Sequence, residues 1–362
     1  MNIICTQENL KSGLSIASRI ISSVNTLPIL NNLLLKTENG QLKISSTNLE
    51  IAVNTNVRCK VEEEGQTTVV AKTFNELVGN LPNENLTLIS NKGELEIKTE
   101  NQKFKIKTLP AEEFPFIPEN HNTTPIILDS EELKTAINQV VFAASNNQTQ
   151  PEISGVLLSF NETNIKLAAT DRYRLAEKTL PGSGAQDVII PQKTAHELAK
   201  VLSGQTQKIE LVINENQIFF TAGPTQIISR LVDGQYPDYK NIIPEQFNTT
   251  IIVNKAKFQG GLKTSALFSQ NTNTVKLDYS TEKQALVISS ESQDLGSGVV
   301  DIASKVEGGS GQLLLNCRYV LDFLGQTQGE NVVLKIINDS SPAVFGIEGA
   351  GDYLYLVMPI KT

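Results

Sequence analysis

A chain of 362 residues with 40% apolar side chains exceeds what one core usually serves, so two or three globular domains are expected. No apolar run approaches the roughly 20 residues that cross a bilayer, and three scattered cysteines, Cys5, Cys59 and Cys317, exclude a disulfide framework. A net charge of −8 argues at first against nucleic acid, whose phosphates call for a basic surface. The start, "MNIICTQENLKSG", lacks the basic segment and long apolar stretch of a signal peptide, so a cytoplasmic protein with reduced thiols is expected. Along the chain, "MNIICTQENLKSGLSIASRII" (1–21), "PIILDSEELKTAINQVVFAAS" (125–145) and "TIIVNKAKFQGGLKTSALFS" (250–269) begin alike. Each is a short β-branched run, a polar step, then apolar residues at helical spacing. Leu10, Leu14, Ala17 and Ile21 share one helix face, and Leu133 and Phe258 fall where Leu10 does.

A second set follows about 60 residues behind the first: "TTVVAKTFNELVGNLP" (67–82), "DVIIPQKTAHELAKVL" (187–202) and "QLLLNCRYVLDFLG" (312–325). These too read as a strand leading into a short amphipathic helix. Between the helices run alternating strands such as "LEIKTENQKFKIKT" (95–108) and "LVINENQIFF" (211–220), with Asn and Gly at the bends. The chain is therefore expected to be α+β, six similar units arranged two per domain. Boundaries near "FPFIPENHNTTP" (114–125) and "IIPEQFNTT" (242–250) divide it into 1–122, 123–247 and 248–362.

Charge follows the same division. The six helical windows hold ten basic residues (Lys11, Arg19, Lys72, Lys134, Lys193, Lys200, Lys255, Lys257, Lys263 and Arg318) against six acidic ones. The helices thus carry +4 and the rest of the chain −12. Exposed helix faces tolerate lysine without any ligand, but with the repeat the pattern suggests one basic surface on an acidic body. Two copies would place twelve helices, each about 10 Å across, around a loop of about 120 Å, leaving a bore of roughly 28 Å.

The segment "AATDRYRLA" (168–176) concentrates Asp171, Arg172, Tyr173 and Arg174 as a catalytic loop would. Its repeat copies, "ISSTNLEIA" (44–52) and "ISSESQDLG" (288–296), make the hairpin scaffold, with Asn48 standing where Asp171 does as a bend-capping residue. Tyr173-Arg174-Leu175 occurs in the middle copy alone, so the fold does not require it. His121 and His196 stand in no triad or metal-ligand spacing. No Gly-rich loop precedes Lys-Ser or Lys-Thr, and "EGGSGQ" (307–312) reads as a turn. Neither a metal nor a cofactor is expected.

The segments "TLPILNNLLL" (26–35), "TLPAEEFP" (108–115), "AATDRYRLA", "LVDGQYPDY" (231–239) and "YLVMPIKT" (355–362) resemble, in order and spacing, the bacterial DNA polymerase III beta subunit, the sliding-clamp family. The resemblance implies three repeated clamp domains in a head-to-tail dimeric ring, helices lining the bore and sheets outside, around duplex DNA and without enzymatic activity. It places Thr170, Tyr173, Arg174 and Leu175 beside Ile153, Pro237, Asn241, Ile242, Leu356, Val357, Met358, Pro359 and Ile360 in a pocket. That pocket would take short peptides from the polymerase alpha subunit, the clamp loader, other polymerases and repair proteins. It also implies a dimer contact with Phe104, between Lys103 and Lys105, opposite Leu267 and Phe268 of the other chain, and a cytoplasmic, nucleoid-associated location.

The chain departs from the family at Val24-Asn25 and Gln150, where relatives often carry basic DNA-facing residues, and at Arg172, where a small residue is common. Lys193 matches a DNA-contacting lysine. Two rival readings are a clamp-fold paralogue acting as a peptide adaptor without encircling DNA, and a hydrolase built on Asp171 and Tyr173.

Overall fold

The computed structural model describes residues 1–21, 27–120, 124–147, 149–184, 186–203, 208–269 and 272–361; His121 and the Val24-Asn25 departure lie outside them. Six α-helices occur among the described residues, one in each expected window: α1 (Gln7–Ala17), α2 (Ala71–Asn80), α3 (Ser130–Val140), α4 (Gln192–Leu202), α5 (Lys255–Ser265) and α6 (Cys317–Gln326).

The first helix of each repeat starts in a chemically similar way. The Thr6 hydroxyl accepts from Asn9 N at α1, Asp129 Oδ1 accepts from Glu131 N and Glu132 N at α3, and Asn254 Oδ1 accepts from Lys257 N at α5. Each satisfies backbone donors that a first turn leaves open. The apolar stripe follows the repeat. Leu10, Leu14 and Ala17 are buried in α1, Leu133, Ile137 and Val140 in α3, and Phe258 and Leu262 in α5. A small residue in each stripe lets the helix approach its sheet. A Cβ on Gly13 would come within 2.4 Å of Val57 Cγ2, and one on Gly261 within 2.8 Å of Ile288 Cδ1. Helices α1 and α2 pack together, as do α5 and α6.

Two compact units result, residues 1–134 with 197–231, and residues 135–196 with 232–362. The first holds one 13-stranded sheet; the second holds a nine-stranded and a four-stranded sheet, and all the recorded strand pairs are antiparallel. In both units a strand from one repeat pairs with the closing strand of the next. Ile51–Val57 pairs with Thr225–Arg230, with Thr55 opposite itself in kind at Thr225 (hydroxyl oxygens 3.0 Å apart). Arg174–Pro181 pairs with Tyr353–Val357. The "EGGSGQ" segment is the connection between Lys305–Gly308 and Gly311–Asn316, and Gly308 has φ +99° with no room for a Cβ beside Asn248 O.

Candidate functional site

The bend at 170–174 is built from its own side chains. Asp171 Oδ1 accepts from Tyr173 N and Arg174 N, each at 3.0 Å, and the Thr170 hydroxyl donates to Arg174 O at 2.7 Å while accepting from Arg172 N. The first repeat does the same. Asn48 Oδ1 accepts from Glu50 N and Ile51 N, and the Thr47 hydroxyl donates to Ile51 O. Arg172 and Leu49 occupy the same place with φ of +78° and +75°. Asp171 is therefore a turn residue, as its counterpart indicated, and the left-handed conformation at Arg172 is one that small residues adopt more cheaply.

Arg174 differs from its counterpart Ile51. Its Nε donates to Asp171 Oδ2 at 2.9 Å and a terminal nitrogen to Asp322 Oδ2 at 2.6 Å. The guanidinium also lies 4.4 Å from the Tyr319 ring centroid and 5.6 Å from that of Phe142. Burial opposes its charge, but Tyr355, Asp322 and Asp171 outweigh that and hold it protonated above its usual range. Arg174 thus ties the hairpin to α6.

Strand pairing brings the terminal segment alongside. Leu175 faces Leu356, Arg174 faces Val357, and Met358 N donates to Tyr173 O at 2.8 Å. Alternation then sends the two sets to opposite faces of the sheet. On one face Tyr353 and Tyr355 stack on Phe323 of α6 with centroids 5.6 and 5.1 Å away. On the other, Leu175 and Leu356 form a buried cluster with Leu157, Ile189, Tyr239 and Val344, and half-buried Met358, Tyr236, Ile243 and Phe247 pack against it. The Tyr239 hydroxyl donates to Glu177 Oε2 at 2.6 Å; burial first, and that carboxylate second, push its pKa up.

Of the residues that the resemblance assigns to a pocket, Tyr173 is 62% exposed, Ile242 45% and Ile360 37%, with Pro237 and Asn241 also exposed. Asn241 Nδ2 donates to Asp238 Oδ2. Ile153, Val357 and Pro359 are buried, and Ile360 N donates to Leu314 O, which carries the end of the segment away from Tyr173. The segments that form this buried cluster also carry the exposed apolar side chains of Tyr173, Ile242 and Ile360.

The basic residues divide into two groups. Lys134 pairs with Glu131 and Lys200 with Glu197, each three residues apart, and Lys255 Nζ donates to Thr327 O. Lys11, Arg19, Lys72, Lys193, Lys257 and Lys263 are exposed and form no salt bridge among the described residues.

Strand Lys103–Leu109 pairs with Glu94–Lys98 along 103–107, and its other side meets a strand only at Thr108 and Leu109. Lys103 and Lys98 hold Glu96 at 2.9 and 2.7 Å, and Lys105 holds Glu94 at 2.9 Å, while Phe104 and Ile106 pack on the N-terminal core. Leu267 is 56% exposed beside half-buried Phe268, whose ring covers Gly298 of strand Gly296–Ala303.

Models of the DNA polymerase III beta subunit match throughout: the N-terminal domain over residues 1–118, the central domain over 127–238 and the C-terminal domain over 240–361. The chain belongs to the DNA polymerase III beta-subunit family. It is 29% identical to the beta sliding clamp of Synechocystis sp., covering 100% of this chain and 99% of that protein. The solved sliding clamp of Bacillus subtilis superposes with a TM-score of 0.95 at 25% identity, covering 100% of this chain and 99% of that one. A Pseudomonas aeruginosa clamp solved bound to griselimycin gives 0.95 at 26% identity, with 100% of both chains covered.

Within this family frame, sequence reading missed Tyr319, Asp322, Phe142, Tyr239 and Val344. Tyr319 and Asp322 stand about 150 residues from Arg174, on a helix read for its repeat and its charge, so no local pattern joined them to the hairpin.

Proposed function

We propose that this protein is a non-catalytic sliding clamp of three domains, 1–122, 123–247 and 248–362, that closes as a head-to-tail dimer around duplex DNA and tethers its polymerase. The observation that carries this is an unmatched pair of strand edges. In the first two repeats the outer hairpin strand takes a closing strand from the next repeat: Ile51–Val57 takes Thr225–Arg230, and Arg174–Pro181 takes Tyr353–Val357. The third such strand, Gly296–Ala303, has one partner, and Lys103–Leu109, the first repeat's closing strand, is open along 103–107. A second copy supplies each of these two open edges with the other, and the same pairing on the far side closes a ring. Phe104 of one chain then meets Leu267 and Phe268 of its partner.

Held by topology, such a ring needs only weak contact with DNA. The exposed Lys11, Arg19, Lys72, Lys193, Lys257 and Lys263, with Lys134, Lys200 and Lys255 beside them, face the duplex without gripping it, which reconciles basic helices with a net charge of −8. The groove at Leu175, Leu356 and Met358, rimmed by Tyr173, Pro237, Asn241, Ile242 and Ile360, takes linear peptides with aliphatic or aromatic anchors. Their sources are the polymerase alpha subunit, the clamp loader, and other polymerases and repair proteins, at the nucleoid in the cytoplasm.

The test loads the protein with its clamp loader onto nicked circular DNA, raises salt, and compares retention before and after one linearising cut. Contacts to phosphate weaken steeply with salt; a closed ring stays on the circle and leaves the cut DNA. Equal retention on both overturns the topological reading, and peptide binding without retention identifies an adaptor instead.

A further inference from the structure

Outside the helices and the groove, the first core contains two thiols that no functional reading uses. In the antiparallel pair formed by strands Asn2–Thr6 and Lys60–Glu63, Ile3 faces Val61 and Ile4 faces Lys60. The recorded pairing stops at Ile4 and Lys60, where that strand begins; continued one residue past its end, the same register brings Cys5 opposite Cys59. Residues directly opposite in an antiparallel ladder send their side chains to the same face, with Cα atoms about 4.5–5.5 Å apart. That lies within the roughly 4.4–6.8 Å a disulfide spans. Both belong to one core, Cys5 buried and Cys59 half-buried against it. Burial chiefly, and the nearness of Cys59 in addition, push the Cys5 thiol up to about 12, so the two sulfurs sense each other. Cys317 has no such neighbour: its sulfur sits 3.8 Å from Ser269 Oγ, far along the chain in the other compact unit.

We propose that Cys5 and Cys59 are a cross-strand dithiol that a hydroperoxide converts into an intramolecular disulfide, a redox modification site on the first strand of the chain. Burial raises the Cys59 thiol as well, and this more accessible sulfur attacks first, through the minor thiolate fraction it holds. Its sulfur takes the terminal peroxide oxygen, the O–O bond breaks, and the departing oxygen leaves protonated, which gives a sulfenic acid on Cys59. The Cys5 sulfur then attacks the Cys59 sulfur; the S–S bond forms, the S–O bond breaks, and hydroxide leaves with the Cys5 proton as water. Two thiols lose two electrons to one peroxide. Strand Lys60–Glu63 is the outermost of its sheet, and strand Asn2–Thr6 runs into Thr6, the cap of α1. The bond therefore fastens a sheet edge to the strand that starts the first basic helix.

The full chain, reduced and dilute, is treated with hydrogen peroxide, alkylated in acid and digested with trypsin. The expected product is the peptide 1–11 joined to the dipeptide 59–60, two hydrogens lighter than the sum of the two, with Cys317 still alkylated. The oxidised protein should melt about 2 °C or more higher, reversed by a dithiol reductant. Cys59→Ala, at a half-exposed position that does not threaten folding, should abolish both the linked peptide and the shift. Three alkylated cysteines after treatment, Cys59 oxidised without linkage to Cys5, or linkage only between chains would each overturn the proposal.

Discussion

In the proposed ring, Leu267 and Phe268 of one copy meet Phe104 of the other. Leu267→Ala combined with Phe268→Ala removes two apolar side chains beside the open edge of Gly296–Ala303. Full burial of a Leu or Phe side chain contributes about 1.5–3 kcal/mol. Leu267 is 56% exposed in the single chain and Phe268 half-buried, so closing the interface buries about half of each. That gives about 0.8–1.5 kcal/mol per residue, or about 1.5–3 kcal/mol per interface. A head-to-tail dimer contains the contact twice, so the double variant loses about 3–6 kcal/mol, and its dissociation constant rises roughly 10²- to 10⁴-fold.

Phe268 also covers Gly298 within the chain, so its loss disturbs the edge strand itself. Leu267→Ala alone avoids this and should raise the constant roughly 30- to 100-fold at unchanged melting temperature. Sedimentation velocity from nanomolar to micromolar protein reads both variants. A double variant whose constant stays within tenfold of the parent refutes the contact.

Met358→Ala should weaken binding of a polymerase-derived peptide by about 1 kcal/mol or more, read by fluorescence polarisation, with the dimer intact; unchanged affinity would remove the groove assignment. Asp171→Ala deprives Tyr173 N, Arg174 N and the Arg174 side chain of an acceptor, and should lower stability by about 1–3 kcal/mol in urea unfolding; a neutral result would show the bend does not depend on it. Glu96 is held by Lys98 and Lys103 at a pKa of about 2, below its ordinary 4.5. A carboxylate depressed on folding stabilises fully above the unfolded value and loses that contribution as pH falls through the folded one, so the Glu96 contribution should fade between about pH 4.5 and pH 2. A carboxyl titration midpoint near 4.5 in the folded protein would contradict the pairing.

The sequence by itself determined the six helices and their order, because helix period is a property of a few adjacent residues. Comparing 168–176 with 44–52 also separated scaffold from specific residues: Asp171 makes the hydrogen bonds that Asn48 makes, while Tyr173-Arg174-Leu175 is additional. The alternation in "YLYLVMPI" already allowed one strand to serve two faces. Only the tertiary structure decided which residue serves which. Leu175, Leu356 and Met358 join one apolar cluster, whereas Arg174 turns to the opposite face and locks onto Tyr319 and Asp322 of α6. Those outcomes depend on strand register and on contacts between residues about 150 positions apart, and a shift of register by one would exchange the two faces.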